Sequence, residues 1–276
     1  MSIFSWQGLD IDYTDNGEGP VVILVHGGAS NNRQWENLTA QIKDRYRVLA
    51  PNLRGTGLTA GWPTGKPQPL DVQSVLIEGL ANMPDVAGQS VTLVGHSYGA
   101  IISMNAALTL GDRVRQMILV EPNAFSLLQR PGYEDGLADI NIMTEPFQRL
   151  GAEGRWSEVA VHFIDYWFGP GSWQAMGEKR QASVKAMMFT ILDAWDGCMN
   201  DLVPVEAWQP FAERMVLITS ANTRLSVKRV RDQMRDFLLG LTWRETPKGG
   251  HMALVNEPHL VEPVIIDFLD QAASLA

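Results

Sequence analysis

The hydrophobic pattern alternates between short apolar runs and longer stretches with helical spacing. Short runs rich in β-branched residues are typical of parallel strands covered on both faces. Such runs predict strands at residues 21–25, 47–50, 91–94, 114–120, 215–219 and 241–246. Apolar positions three or four apart predict helices near residues 35–42, 72–83, 100–107, 227–238 and 260–269. The pattern therefore indicates an α/β fold, a mostly parallel sheet flanked by helices, with an edge hairpin at residues 3–13.

The pattern changes after Pro122, where the chain becomes rich in aromatic residues and methionine. Helical spacing interrupted by Gly and Pro predicts an inserted helical cap at residues 123–205. The core would then comprise residues 1–122 and 206–276. In the helix predicted at residues 227–238, the basic side chains are interpreted as a solvated face; they are Lys228, Arg229, Arg231 and Arg235.

Composition narrows the classes of function. The 276 residues suffice for one elaborated domain, and the net charge of −9 disfavours nucleic acid and anionic membranes as partners. Cys198 is the only cysteine, which excludes an internal disulfide and a cysteine-based metal cluster. A loose dinucleotide fingerprint at Gly55 and Gly57 is rejected because the prolines that follow prevent a helix start, so we expect no cofactor. The N-terminal residues lack a basic, apolar leader, which predicts a cytoplasmic protein; a homo-oligomer is left open.

Residues 95–99 read Gly-His-Ser-Tyr-Gly, between a predicted strand and a predicted helix. A serine in so sharp a turn is forced to a positive φ, so the positions two before and two after it must be small. Gly95 and Gly99 meet that requirement. The turn presents the Ser97 hydroxyl as a nucleophile and places the backbone N–H of Tyr98 at a helix N-terminus, where negative charge is favoured.

Three segments give the chain a resemblance to the α/β-hydrolase fold family over nearly its whole length. They are this turn, the His26-Gly27-Gly28 segment after an earlier strand, and the loop of His251 near the C-terminus. The resemblance implies that His251 is the general base and that the N–H groups of Gly28 and Tyr98 form an oxyanion hole. It also implies a cap that roofs the active site, and structural roles for His26 and His96.

The third member of a catalytic triad departs from the family's commonest pattern. Family members usually carry an aspartate in the loop after the strand at 215–219, but residues 220–225 contain no carboxylate. The imidazole still needs an acceptor that fixes its tautomer. Glu121, at the end of the preceding strand, is the preferred candidate, and some family members place their acid there. Asn222, Asp193 and Asp196 remain alternatives.

These residues predict a serine hydrolase that cleaves a carboxylic ester or lactone with an apolar or aromatic part. Ser97, His251 and Glu121 would form the triad, and three cap residues, His162, Trp167 and Trp195, would bind the small-molecule substrate. A C–C bond hydrolase, a cofactor-free haloperoxidase or a hydroxynitrile lyase could use the same triad. A non-catalytic receptor for a small ligand is the alternative from a different class.

Overall fold

A computed structural model describes residues 2–63 and 65–274, which are organised around an eight-stranded sheet. The strands are β1 (Ser2–Trp6), β2 (Leu9–Asn16), β3 (Val21–Val25), β4 (Arg47–Pro51), β5 (Val91–His96), β6 (Val114–Val120), β7 (Met215–Ser220) and β8 (Thr242–Thr246). Their order in the sheet is β1-β2-β4-β3-β5-β6-β7-β8. β1 pairs antiparallel with β2 and β2 with β4, and all the other pairs are parallel. The predicted edge hairpin and the mostly parallel sheet are confirmed.

Helices cover both faces of this sheet, as the fully apolar strands require. The helices are α1 (Glu36–Ile42), α2 (Asp71–Ala81), α3 (Tyr98–Leu110), α4 (Glu134–Ala152), α5 (Trp156–Phe168), α6 (Ser172–Ala175), α7 (Glu178–Asn200), α8 (Leu225–Phe237), α9 (Ala253–Asn256) and α10 (Pro258–Ser274). Side chains of β3 alternate between the two faces. Ile23 belongs to the apolar cluster that also contains residues of α2, α3 and α8, whereas Leu24 belongs to the cluster that contains residues of α1 and α10. The chain thus forms a three-layer helix–sheet–helix core.

The longest excursion from the sheet joins β6 to β7, which are neighbours. It contains α4 to α7 between two 3₁₀ segments, Phe125–Gln129 and Val205–Arg214. Aromatic side chains pack these helices together: the ring of Phe147 lies 5.7 Å from that of Phe163 and 5.7 Å from that of Trp195. We call the residues between β6 and β7 the insert. The domain boundary at residues 123–205 remains a prediction.

The basic residues of α8 differ from the sequence interpretation. Arg229 forms an ion pair with Asp135 of α4 at 2.6 Å, and Arg231 pairs with Glu245 of β8 at 2.7 Å. The side chain of Arg231 is only 12% exposed. The interpretation as a solvated face is therefore wrong for Arg231, because packing against β8 supplies a carboxylate that the α8 sequence does not show.

Among residues 2–63 and 65–274, the helices are too short or too polar to span a bilayer.

Candidate active site

Ser97 lies at the turn between β5 and α3 with φ 55° and ψ −118°, so the predicted positive φ is confirmed. The backbone holds this conformation because the N–H of Ser97 still donates to the carbonyl of Val120 at 2.8 Å. A Cβ on Gly95 would lie 2.4 Å from the carbonyl oxygen of Gly99. A Cβ on Gly99 would lie 2.2 Å from the carbonyl oxygen of Val25. Both positions therefore exclude any side chain.

The loop after β8 brings His251 to this serine. Its Nε2 lies 2.9 Å from the Ser97 Oγ, within hydrogen-bond distance. The loop is held in place because His96 donates from Nε2 to the carbonyl of His251 at 3.1 Å. Both members of the pair are almost fully buried, Ser97 at 6% and His251 at 3% exposure. A serine hydroxyl and an imidazole are thus paired in a site shielded from bulk water.

Glu121 is the residue that the structure places on the other side of this imidazole. Its Oε2 lies 3.3 Å from the Nδ1 of His251. The residue directly follows β6 and has a φ of 53°, although it is not glycine. One group at the end of β7 and one in the loop after it hold its carboxylate. The Ser220 N–H donates to Oε1 at 2.5 Å, and the Thr223 hydroxyl donates to Oε2.

The three alternatives to Glu121 as the partner of His251 have other hydrogen-bond partners. Asp193 accepts a hydrogen bond from the Gly65 N–H at 3.3 Å, and Asp196 accepts one from the Asn200 side chain at 2.7 Å. Asn222 bonds through its backbone N–H to the carbonyl of Gly249 at 3.0 Å. The loop after β7 has no carboxylate of its own; instead, Thr223 in this loop and Ser220 at the end of β7 donate hydrogen bonds to Glu121.

Asn123 is a site residue that the sequence reasoning missed. Its Nδ2 donates to the Ser97 Oγ at 2.9 Å, while its Oδ1 is buried and has no hydrogen-bond partner among the described residues. The side chain lines the same cavity as Ser97. Its position two residues after Glu121, on a loop leaving the sheet at the proposed site, was the available signal.

Two further histidines near Ser97, His26 and His96, are neutral and hydrogen-bond to backbone groups of the surrounding loops. Burial lowers the pKa of His26 to about 4 and, with the nearby imidazole of His251, that of His96 to about 3. His26 donates from Nδ1 to the carbonyl of Gly27 and accepts from the Leu53 N–H at its Nε2, at 2.8 and 3.1 Å. His259 is exposed. Of these histidines, only His251 contacts the serine hydroxyl.

The predicted oxyanion donors both line the cavity at Ser97. Tyr98 is the first residue of α3, so its N–H is one of the helix N-terminal donors that lack an intrahelical acceptor. Gly28 follows the buried strand β3, and a Cβ at this position would meet nothing within 4 Å. Gly28 therefore borders open space, as a residue contacting a substrate must.

The insert supplies the opposite wall of this cavity. Trp167 and Trp195 both line it. The Trp167 ring centroid lies 4.1 Å from that of His251, with the rings inclined by 34°. His162 is not among the described residues that line the cavity, because its Nε2 bonds to the carbonyl of Met143 between α5 and α4 at 3.1 Å. The structure therefore gives no support to substrate binding by His162.

The residues that the structure describes were also compared with the arrangement that a metal site requires. In the part of the chain that the structure describes, no three His, Cys, Asp or Glu side chains are arranged to hold a metal ion.

Comparisons with known proteins identify the family of the chain. A family model described as "Alpha/beta hydrolase family" matches residues 22–264. A 2-(acetamidomethylene)succinate hydrolase of Mesorhizobium japonicum is 23% identical over 95% of this chain and 92% of its own length. A cis-3-alkyl-4-alkyloxetan-2-one decarboxylase of Shewanella oneidensis is 27% identical over 45% of this chain, but the matched stretch is only 39% of that relative. The solved structure of a bromoperoxidase from Bacillus anthracis aligns with a TM-score of 0.78 at 18% identity, covering 98% of this chain and 99% of that one.

Proposed function

Because the chain belongs to the alpha/beta hydrolase family, we propose that it is a serine hydrolase that cleaves a carboxylic ester or lactone. The observation that carries this proposal is the contact between the Ser97 Oγ and the His251 Nε2 at 2.9 Å, with Glu121 on the far side of the imidazole. A serine hydroxyl is a poor nucleophile unless a base accepts its proton, and this contact provides the base. The buried Glu121 fixes the tautomer that leaves Nε2 unprotonated.

The reaction follows from these positions. Ser97 attacks the carbonyl carbon as His251 takes the hydroxyl proton at Nε2, and the resulting oxyanion accepts hydrogen bonds from the N–H groups of Gly28 and Tyr98. His251 then gives the proton to the leaving alkoxide, which leaves an acyl group on Ser97. Water attacks the acyl-enzyme with His251 again as the base, and the acid is released with Ser97 restored.

Two features favour the charged intermediate. The Glu121 carboxylate stabilises the imidazolium that forms on His251, and the face of Trp167 lies near the same ring. His26 and His96 add no positive charge because both are neutral at physiological pH. The aromatic side of the cavity, with Phe163, Trp167 and Trp195, supports an apolar or aromatic part in the substrate.

The test uses a fluorophosphonate, which forms a stable adduct with a serine activated by a base and an oxyanion hole. Intact-mass analysis should show one adduct per chain, and Ser97→Ala should remove it. A panel of neutral esters and lactones then reports turnover. A folded wild-type protein that takes up no adduct and turns over no ester would refute the proposal and favour a non-catalytic ligand site.

A further inference from the structure

The amide of Asn123 contacts the proposed nucleophile directly. Its Nδ2 lies 2.9 Å from the Ser97 Oγ, and the Nε2 of His251 lies at the same distance from this oxygen. Asn123 is only 4% exposed, and it lines the same cavity as Ser97. An imidazole and an amide therefore both hold the serine hydroxyl, and the proposed reaction uses only the imidazole.

The backbone around Asn123 is held on both sides. The N–H of Glu121 donates to the carbonyl of Ile218 in β7 at 2.9 Å. Ala124 has φ −76° and ψ 60°, the values of an inverse γ-turn, and the N–H of Phe125 donates to the carbonyl of Asn123 at 2.8 Å. One short segment after β6 thus presents Glu121 to the imidazole and Asn123 to the hydroxyl.

The chemistry of the two partners fixes the direction of each hydrogen bond to the serine. An amide nitrogen only donates, so the Ser97 Oγ accepts from Asn123. When the Nδ1 of His251 carries the proton that faces Glu121, its Nε2 only accepts, so the serine hydroxyl donates to it. A hydroxyl oxygen has one proton and two lone pairs. The amide takes one lone pair, and the other is left to attack a carbonyl carbon.

A neutral donor suits this position better than a charged group. A lysine or arginine would also donate to Oγ, but its positive charge would oppose the charge that His251 gains during the reaction. A carboxylate would have no proton to donate, and it would compete with His251 for the serine proton. The amide of Asn123 supplies a donor without either effect.

Stability does not account for the amide of Asn123. Its Oδ1 is buried and has no hydrogen-bond partner among the described residues, and an unmet buried acceptor costs stability. The side chain thus makes one hydrogen bond, to Ser97, and leaves a second polar group unsatisfied. An apolar side chain of the same shape, such as leucine, would avoid this cost. The contact with the serine is therefore what the amide contributes.

We propose that Asn123 is a catalytic residue that orients the Ser97 hydroxyl for attack. Its amide holds one lone pair of Oγ, so that the proton points at His251 and the remaining lone pair faces the cavity. As this lone pair bonds to the carbonyl carbon, the hydroxyl proton passes to Nε2. The carbonyl π electrons move to the oxygen that accepts from the N–H groups of Gly28 and Tyr98. The inference rests on the proposed function and adds a fourth side chain to it.

The first experiment measures the rate constant of fluorophosphonate labelling, which reports attack by Oγ, together with ester turnover. Asn123→Leu keeps the shape of the side chain and removes the donor. Labelling should slow about tenfold to a hundredfold, as expected for one lost hydrogen bond to an oxygen that carries charge during the reaction. For an ester, kcat should fall while KM stays within about twofold, because the amide contacts the nucleophile. The melting temperature should not fall, because an unmet acceptor is removed with the donor.

Two further variants sharpen this comparison. Asn123→Asp has the same shape but presents an acceptor, so at about pH 8 it should label more slowly than Asn123→Leu. Asn200→Leu is the matched control, since it makes the same substitution at an exposed amide that bonds to Asp196 at 2.7 Å. It should label at the wild-type rate. Wild-type labelling by Asn123→Leu, or a raised KM with unchanged kcat, would overturn the proposal.

Crystal structures separate failure of this inference from failure of the proposed function, because they need no turnover. In the wild type, the Ser97 Oγ should occupy one position within hydrogen-bond distance of both Asn123 and His251. In Asn123→Leu it should occupy at least one further staggered rotamer. A single Ser97 rotamer that still contacts His251 in this variant would contradict the inference, even where the wild type is labelled. A freed hydroxyl in the variant, beside a wild type that takes up no adduct, would uphold the orienting role of Asn123 and refute only the proposed function.

Discussion

Replacing Glu121 by Gln is the most informative change in the proposed triad, because the surroundings of this side chain dictate the outcome. Three donors converge on its two oxygens: the Ser220 N–H, the Thr223 hydroxyl and the Nδ1 of His251. The backbone N–H of Ser220 cannot turn away, so the oxygen of a Gln side chain would face it. The amide NH₂ would then point at Thr223, whose hydroxyl can rotate to accept, and at His251.

His251 would accept this NH₂ only by moving its proton to Nε2, the nitrogen that faces Ser97. In that tautomer it cannot take the serine proton, and a comparable change of tautomer in a serine protease costs about 10⁴-fold in kcat. We expect a loss of similar size, equivalent to about 5 kcal/mol of transition-state stabilisation. The free energy of unfolding should change far less, by about 1–3 kcal/mol for one buried charged hydrogen bond.

The assay is the rate of fluorophosphonate labelling, followed by intact mass, together with ester turnover and a urea unfolding curve. Asp193→Asn is the control, since it neutralises a carboxylate that bonds to Gly65 rather than to His251. It should label at the wild-type rate. A folded Glu121→Gln protein that labels within tenfold of the wild type would refute the assignment of Glu121.

Three further predictions test the turn, the buried histidine and the insert. Gly99→Ala should abolish activity and destabilise the protein by at least about 1–3 kcal/mol, because its Cβ would meet backbone at 2.2 Å. Gly28→Ala has open space at its Cβ and should fold normally. Equal melting temperatures for the two variants would contradict this prediction. The unfolded chain takes up a proton on His96 below about pH 6.5 while the native protein, with a pKa of about 3, does not. The stability that neutral His96 contributes is thus fully present above pH 6.5 and is lost as the pH falls below that value. Between pH 7 and pH 5, the free energy of unfolding measured with urea should therefore fall by about 2 kcal/mol less in His96→Asn than in the wild type. The exposed-site control His259→Asn should behave like the wild type. Trp167→Leu should lower kcat/KM about threefold to thirtyfold through loss of the aromatic face beside His251. Trp167→Phe keeps an aromatic ring and should lower kcat/KM less. Equal kcat/KM values for the Leu and Phe variants would show that the aromatic ring has no role.

Local sterics explain why so much of the site follows from the sequence. The Gly95 and Gly99 pattern needs only the geometry of one turn, and the conformation of Ser97 bears it out. The position of Glu121 follows from parallel strands, whose carboxyl ends meet at one edge of the sheet.

The residues that the sequence did not place depend on packing between distant segments. The position of Asn123 two residues after Glu121 places it near the site, but its loop has no periodicity from which the contact of its amide with Ser97 could be predicted. His162 sits on an insert helix, and helical spacing shows that a face is buried but not which neighbour buries it. The pairing of Arg229 with Asp135 likewise joins two helices far apart in sequence.

The left-handed backbone at Ser97 and Glu121 bears on how such a protein can evolve. Both residues have φ near 55°, at the ends of the neighbouring strands β5 and β6. A side chain in such a conformation costs of the order of 1–3 kcal/mol, which glycine would relieve. Drift under selection for folding alone would therefore favour glycine at both positions. If Ser97 and Glu121 act as proposed, selection for chemistry at these two positions opposes selection for stability.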